Sequence, residues 1–298
     1  MHAFIRRTAV LMTVFGLAGA RAPLRAQSGW TPVADSTRVL AYPGQFRVCA
    51  DPNALPYSNQ AQQGFENKLA ELIARELHAS VVYTWYPQRR GFVRNTLQDY
   101  QCDVVMGVPS TLDMLLTTIP YYRSSYVFIY RKDKGLHITS FDDPQLKQLK
   151  IGVYDFGNDG NNTPPVHALL DRGVLPEHFV GYSLYGDYAQ PSPPRDLIDA
   201  VAKGEVDIAV GWGPIAGYFA QQEPVALEIV PVSPAIDLPF RPYVYDMSIG
   251  VRREDKPLKE ALDDILTRHK QEIRQLLVSF GVPMLDRQSQ GVQTTAQN

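Results

Sequence analysis

One phrase occurs twice in this chain, and it limits the folds available. Gln101-Cys-Asp-Val-Val-Met-Gly-Val leads into Pro109-Ser110, and Glu205-Val-Asp-Ile-Ala-Val-Gly-Trp leads into Gly213-Pro214. Upstream of the first copy, the pattern predicts a strand at Phe46–Ala50 and a helix with Phe65, Leu69, Leu72, Ile73 and Leu77 on one face. A strand at Val81–Thr84 and a helix near Arg90–Leu97 follow. Upstream of the second copy come a strand at Leu149–Val153 and a helix capped by Thr163, with Pro164 in its first turn and Gly173 beyond its end. A strand near Phe179–Ser183 and a helix from Pro194 to Lys203, stopped by Gly204, complete the unit. Both halves read β-α-β-α-β, and Asp51 to Asp103 spans 52 residues, as does Asp155 to Asp207. The runs VVMGV and IAVG are continuously apolar, as strands buried on both faces are. The sequence therefore predicts two α/β lobes. There is no third copy, which excludes a solenoid.

Two β-rich stretches are placed to connect the lobes, Tyr126–Arg131 going out and Val244–Val251 coming back. After the return, Pro257 opens a helix that runs to Phe280, with Leu258, Leu262, Ile265, Leu266, Ile273, Leu276 and Leu277 among its apolar positions; Gly281 and Pro283 end it. This helix is expected to pack on the first lobe. The first lobe then comprises residues 45–131 and 246–298, and the second residues 135–240. The Gln-, Ser- and Thr-rich tail, 287–298, is expected to be disordered.

Residues 1–26 differ from the rest. Arg6-Arg7 precede a 13-residue apolar run from Thr8 to Ala20, with small residues and candidate cleavage points at Ala20, Ala22 and Ala26. That is the layout of a signal peptide, and it is too short to span a membrane. The segment holds four arginines and no acid, so its removal takes the formal charge from −2 to −6. A mature chain of that charge does not suit nucleic acid. The expected compartment is the periplasm, and a monomer without a membrane span is expected. Cys49 and Cys102 would meet an oxidising environment, which favours a disulfide. Strand register argues against it, placing them about 10 Å out of step if the strands near Phe46 and Asp103 are parallel neighbours. Both alternatives, a bridge and two buried thiols, stay open.

In parallel sheets ligands bind beyond the C-terminal strand ends, and two such lobes would bring those ends face to face across a cleft. The first lobe contributes Asp51, Asn53, Tyr57 and Asn59, then Trp85, Tyr86, Arg89 and Arg90, then Ser110 and Thr111. The second contributes Asp155, Asn158 and Asp159, then Tyr185, Asp187 and Tyr188, then Trp212. Asn and Gly in these loops are also ordinary turn residues. The large rings point more directly to a binding surface. No G-x-S-x-G, H-E-x-x-H or phosphate-loop pattern occurs, and the six histidines and two cysteines show no metal-ligand spacing. The reading is a binding protein, with no catalytic residue, metal or cofactor.

Longer stretches carry a resemblance. RVCADPNALPYSN, GFENKLAELIARELHASVVYTWYPQRRGFVRNTL, CDVVMGVPS, TTIPYYRSSYVFIYRKDKGL, NDGNNTPPVHALLDRG, YGDYAQPSPP and VDIAVGWGPIAGYFA resemble the J-type accessory proteins (MxaJ and XoxJ type) encoded beside PQQ-dependent methanol dehydrogenases, within the type II periplasmic solute-binding proteins. The resemblance covers roughly Phe46 to Pro283. It implies a two-lobe type II periplasmic binding protein fold with two crossover strands. It also implies a quinoprotein dehydrogenase and its cytochrome c as partners, in maturation or activation. Amino-acid receptors of the wider class follow the third strand with an Arg that clamps the ligand carboxylate through paired hydrogen bonds. Here Pro109–Tyr122 contains no Arg; the first is Arg123. A partner-protein binder and a transporter receptor for some other small molecule both fit this pattern.

Overall fold

The structure, a computed structural model, describes residues 39–156, 162–184 and 192–286. The expected signal peptide and the tail lie outside these residues. The first lobe is built on three parallel strands, β1 (Gln45–Ala50), β2 (Ser80–Trp85) and β3 (Val104–Pro109), with β1 in the middle. The long strand β4 (Tyr122–Arg131) then carries the chain across. The second lobe has β5 (Ile151–Tyr154), β6 (Phe179–Tyr182) and β7 (Ile208–Trp212), again parallel, and β8 (Leu227–Pro231), which pairs with β4. β9 (Val244–Val251) returns and pairs with both β3 and β4. One curled sheet results, in the order β2-β1-β3-β9-β4-β7-β5-β6, and its two antiparallel crossover strands lie side by side between the parallel halves.

Helices cover the sheet where the apolar periodicity placed them, and one more, at Gly213–Ala220, has no counterpart among the expected elements. α1 (Phe65–Glu76) buries Phe65, Leu69, Leu72 and Ile73. Its start is held by the preceding loop, because Phe65 N donates to Pro56 O and Glu66 N to Tyr57 O, while Asn67 Oδ1 accepts from Gly64 N at 3.1 Å. A side chain at Gly64 would overlap Tyr57 O, so the loop can lie this close only over a glycine. The helix expected near Arg90–Leu97 is one turn, α2 (Phe92–Asn95). It starts from a left-handed Gly91 (φ 92°), and the Thr96 hydroxyl then caps Phe92 O, which turns Leu97 into the core.

α3 (Pro164–Asp171), α4 (Asp196–Lys203) and α5 (Gly213–Ala220) pack in the second lobe. The last expected helix is two helices, α6 (Lys256–Arg268) and α7 (Lys270–Ser279). The break is His269, whose ring is held by Glu272 at 2.8 Å and Glu76 at 3.3 Å. Leu258, Leu262, Ile265, Leu266, Ile273 and Leu277 share one core with Phe46, Val48, Phe65 and Ile73 of the first lobe. Among the described residues, no helix is long and apolar enough to cross a membrane.

Cys49 and Cys102 form a disulfide with a Cα–Cα distance of 5.5 Å. The register objection fails for a local reason. Cys49 is opposite Val105 as expected, but Cys102 precedes β3 and is not aligned with it. The chain reaches β3 from a turn in which Tyr100 has φ 56° and Gln101 N bonds Thr96 O, and Cys102, between that turn and Asp103, is brought to 5.5 Å (Cα–Cα) from Cys49. Asp103, fully buried, is held there by Arg47 at 3.0 Å and Arg252 at 2.9 Å.

Candidate functional site

A cavity of about 400 Å³ lies between the lobes. Its shape follows from a latch that each lobe repeats. Asp51, just after β1, accepts backbone hydrogens from Asn53 (2.8 Å) and Gln88 (2.6 Å), and so ties the loop after β1 to the loop after β2. Asp155, just after β5, accepts from Leu184 N at 3.3 Å beyond β6. These carboxylates fix the loops that line the cleft, and Asn53 reaches across it, its Oδ1 accepting from Ser192 N at 3.1 Å.

The walls differ in chemistry. Asp51, Asn53, Tyr57, Glu66 and Gln88 bring polar groups from the first lobe. The second lobe brings Leu184, Pro193, Pro194, Trp212 and Ile215, and the crossover strands bring Tyr126, Tyr245 and Met247. Trp212 stands at the centre of the aromatic wall, edge-on to Tyr126 (5.4 Å) and to Tyr245 (5.7 Å). Among the described lining residues, the only ionisable carboxyls are Asp51 and Glu66, and there is no Lys, Arg or His.

Glu66 is the unusual group. It sits in the first turn of α1 with its carboxyl over Gly107 of β3, a residue at φ 64°. The Tyr121 hydroxyl donates to Oε1 at 3.5 Å. Burial without a cation beside it pushes the Glu66 carboxyl up to about 8, only weakly opposed by Tyr121. The same burial, together with Glu66, pushes the Tyr121 and Tyr122 phenols well above their ordinary range. Arg123, the first arginine after the loop, pairs with Asp246 at 3.0 Å and does not line the cavity.

Of the residues expected at the cleft, Asp51, Asn53, Tyr57 and Trp212 line this cavity. Trp85 stacks on Tyr83 at 4.5 Å, and the Tyr86 hydroxyl accepts from Asn95. Asn59 bonds Gln63, Ser110 bonds Asp246 O and Ser248, and Thr111, Arg89 and Arg90 are exposed. Asp155 serves as the second latch. Asn158, Asp159, Tyr185, Asp187 and Tyr188 lie outside the described residues.

Residues 46–280 match the model of the bacterial extracellular solute-binding proteins, family 3. The chain belongs to that family. A similar relative is Protein MoxJ of Methylorubrum extorquens, 33% identical and covering 94% of this chain and 96% of the relative. Two similar solved structures are the periplasmic binding protein XoxJ from Methylobacterium extorquens AM1 and MxaJ from Methlophaga aminisulfidivorans MPT. The first has a TM-score of 0.66 and 33% identity over 81% of this chain and 99% of that one. The second has a TM-score of 0.70 and 29% identity over 80% and 100%. The expected type II periplasmic binding protein fold and the resemblance to J-type proteins are both borne out.

In this family 3 solute-binding protein, sequence reasoning passed over Glu66, Gly107, Gln88, Tyr126 and Tyr245. Glu66 reads as an ordinary acid at a helix start, where the dipole favours it. The available signal was Gly107, because an isolated glycine inside a strand marks a close approach. Tyr126 and Tyr245 read as parts of connections, yet the crossover strands form the back of the cavity.

Proposed function

We propose that this protein is a periplasmic accessory factor of a PQQ-dependent methanol or alcohol dehydrogenase system, and that it binds the dehydrogenase, or a segment of it, in the inter-lobe cleft to assist maturation or activation. The carrying observation is the cavity wall: rings grouped around Trp212, with no cationic clamp for a ligand carboxylate among the described lining residues. Rigid rings supply contact area at low entropic cost, which suits the side chains of a docked segment. The likeness to MoxJ, XoxJ and MxaJ supports the assignment to such a system, and the basic and apolar start of the chain supports export.

In this reading residues 45–131 with 246–298, and residues 135–240, move as two bodies about β4 and β9, and the Asn53–Ser192 contact forms on closure. The protein acts as a monomer and catalyses no reaction itself. The test is capture of purified methanol dehydrogenase by the immobilised protein. Trp212→Ala should weaken capture by about 2 kcal/mol, roughly thirtyfold in Kd, while the protein stays folded. Unchanged capture by the folded variant would move the docking surface off the cleft.

One observation favours a second reading, a receptor delivering a small molecule other than a standard amino acid to a transporter. The cavity volume, about 400 Å³, falls within the range of small-ligand sites. Co-purification of one small molecule with the wild type, lost in Trp212→Ala, would support it.

A further inference from the structure

The cavity puts one carboxyl in an aromatic enclosure and gives it no basic neighbour. Glu66 projects from the first turn of α1 over the bare backbone of Gly107, and Tyr57, Tyr126, Trp212 and Tyr245 line the same space. Asp51, the other acid, is committed to two backbone hydrogens. No described lining residue is Lys, Arg or His, and the sequence of the two internal stretches outside the description, 157–161 and 185–191, contains none.

An anion placed here would meet two carboxyl groups and no counter-charge. A wholly apolar ligand would cover the Glu66 carboxyl and leave it only the long hydrogen bond from Tyr121, a costly arrangement. A cation with an aliphatic body meets each wall on favourable terms: the charge against Glu66, the positive end near ring π-density, and the chain along Leu184, Pro193 and Ile215.

We propose that this cavity recognises an aliphatic ammonium group, with Glu66 as its counter-ion and the Tyr57, Tyr126, Trp212 and Tyr245 rings as its walls. The proposal takes the cleft as the recognition site, as in the function proposed above. The same chemistry has two sources, a free alkylamine or a lysine side chain on the docked partner.

The proton balance is simple. The titratable groups facing Glu66 are the phenols of Tyr57, Tyr83, Tyr121 and Tyr122, with Asp51 in the same lining. Burial keeps the Glu66 proton in place when the cavity is empty, up to a pKa of about 8. An ammonium ion that pairs with the carboxylate replaces that proton, so one proton leaves to solvent per ammonium bound. Below pH 8, binding therefore tightens as pH rises.

The experiment is calorimetric titration of the full mature chain with n-butylammonium chloride, and with butan-1-ol as the neutral analogue, in two buffers of different ionisation enthalpy. The expected result is saturable binding of butylammonium only, with release of about one proton and about a tenfold gain in affinity from pH 6 to pH 7. Glu66→Gln should lose both the proton release and the pH dependence. Absence of saturable binding to the folded wild type at about 10 mM butylammonium, equal binding of the alcohol, or binding without proton release would each overturn the proposal. Competition of butylammonium against dehydrogenase capture then separates the sources. Competition assigns a lysine side chain, and saturable amine binding without competition assigns a free amine. Lost capture with amine binding intact would refute the partner reading alone. Intact capture without amine binding would refute the ammonium site alone.

Discussion

The carboxyl of Glu66 occupies the space that a side chain on Gly107 would need. A methyl group there would overlap Oε1, and the backbone at φ 64° is one that residues with a Cβ adopt only at a cost. Gly107→Ala should therefore destabilise the protein by about 2 kcal/mol and drive the Glu66 side chain further into the cavity. Urea unfolding of Gly107→Ala, Glu66→Ala and the double variant checks this. The two changes should cost less together than the sum of each alone, and strict additivity would show that the carboxyl and the glycine are not coupled.

Glu66 also makes stability depend on pH. Between the ordinary glutamate value of 4.5 and about 8, the native state holds a proton that the unfolded chain has already released. The native state binds more protons throughout that window, so stability falls as pH rises through it. The slope approaches about 1.4 kcal/mol per pH unit at mid-window for this one group. Denaturation midpoints measured from about pH 5 to about pH 8 should converge for wild type and Glu66→Gln at the acid end, and diverge in favour of the variant at the alkaline end. Parallel profiles would mean that Glu66 is ionised in the folded protein.

The disulfide should contribute heavily, because Cys49 and Cys102 are 53 residues apart in the chain. Restricting the unfolded chain over such a loop is worth about 4 kcal/mol in the chain-entropy model. A Cys49→Ser, Cys102→Ser protein should still fold around the large first-lobe core, with a lower urea midpoint and unchanged cavity geometry. A loss below about 1 kcal/mol would contradict the expected contribution.

Standard amino acids should not bind. Their carboxylate would be buried against Asp51 and Glu66 with no cationic partner among the described lining residues, at a cost of several kcal/mol. A ligand present at about 100 times its Kd stabilises the folded state by about 2.7 kcal/mol, which a thermal melt resolves readily. A saturable upward shift with any of the twenty would show that the cleft retains a carboxylate grip.

The repeated strand phrase made the fold legible, because strands buried on both faces leave continuous apolar runs and the equal spacing showed the order twice. The disulfide and the helix break were not legible, for different reasons. The expected offset holds only if Cys102 continues the line of β3, whereas Cys102 lies outside the ladder, just after a turn through Tyr100 at φ 56°. The apolar periodicity runs from Ile265 to Ile273 straight through His269, so a single-residue break with its ring tied to Glu76 and Glu272 leaves no trace in the pattern. At the cavity, Asp51, Asn53, Tyr57 and Trp212 could be named because they sit in loops after strands. Glu66, Tyr126 and Tyr245 could not, because a helix start and two crossover strands have sufficient structural reasons of their own for such residues.

The uneven cavity walls have an evolutionary consequence. On the proposed reading, the polar groups that would set what is recognised come from residues 51–88, whereas the described lining residues between 184 and 215 supply mainly apolar surface that would close over it. Substitutions in the first stretch can thus change which chemistry is selected, and substitutions in the second can change how long it is retained. With these two properties on separate tracts of one gene, a lineage can retarget the cleft without relearning how to shut it.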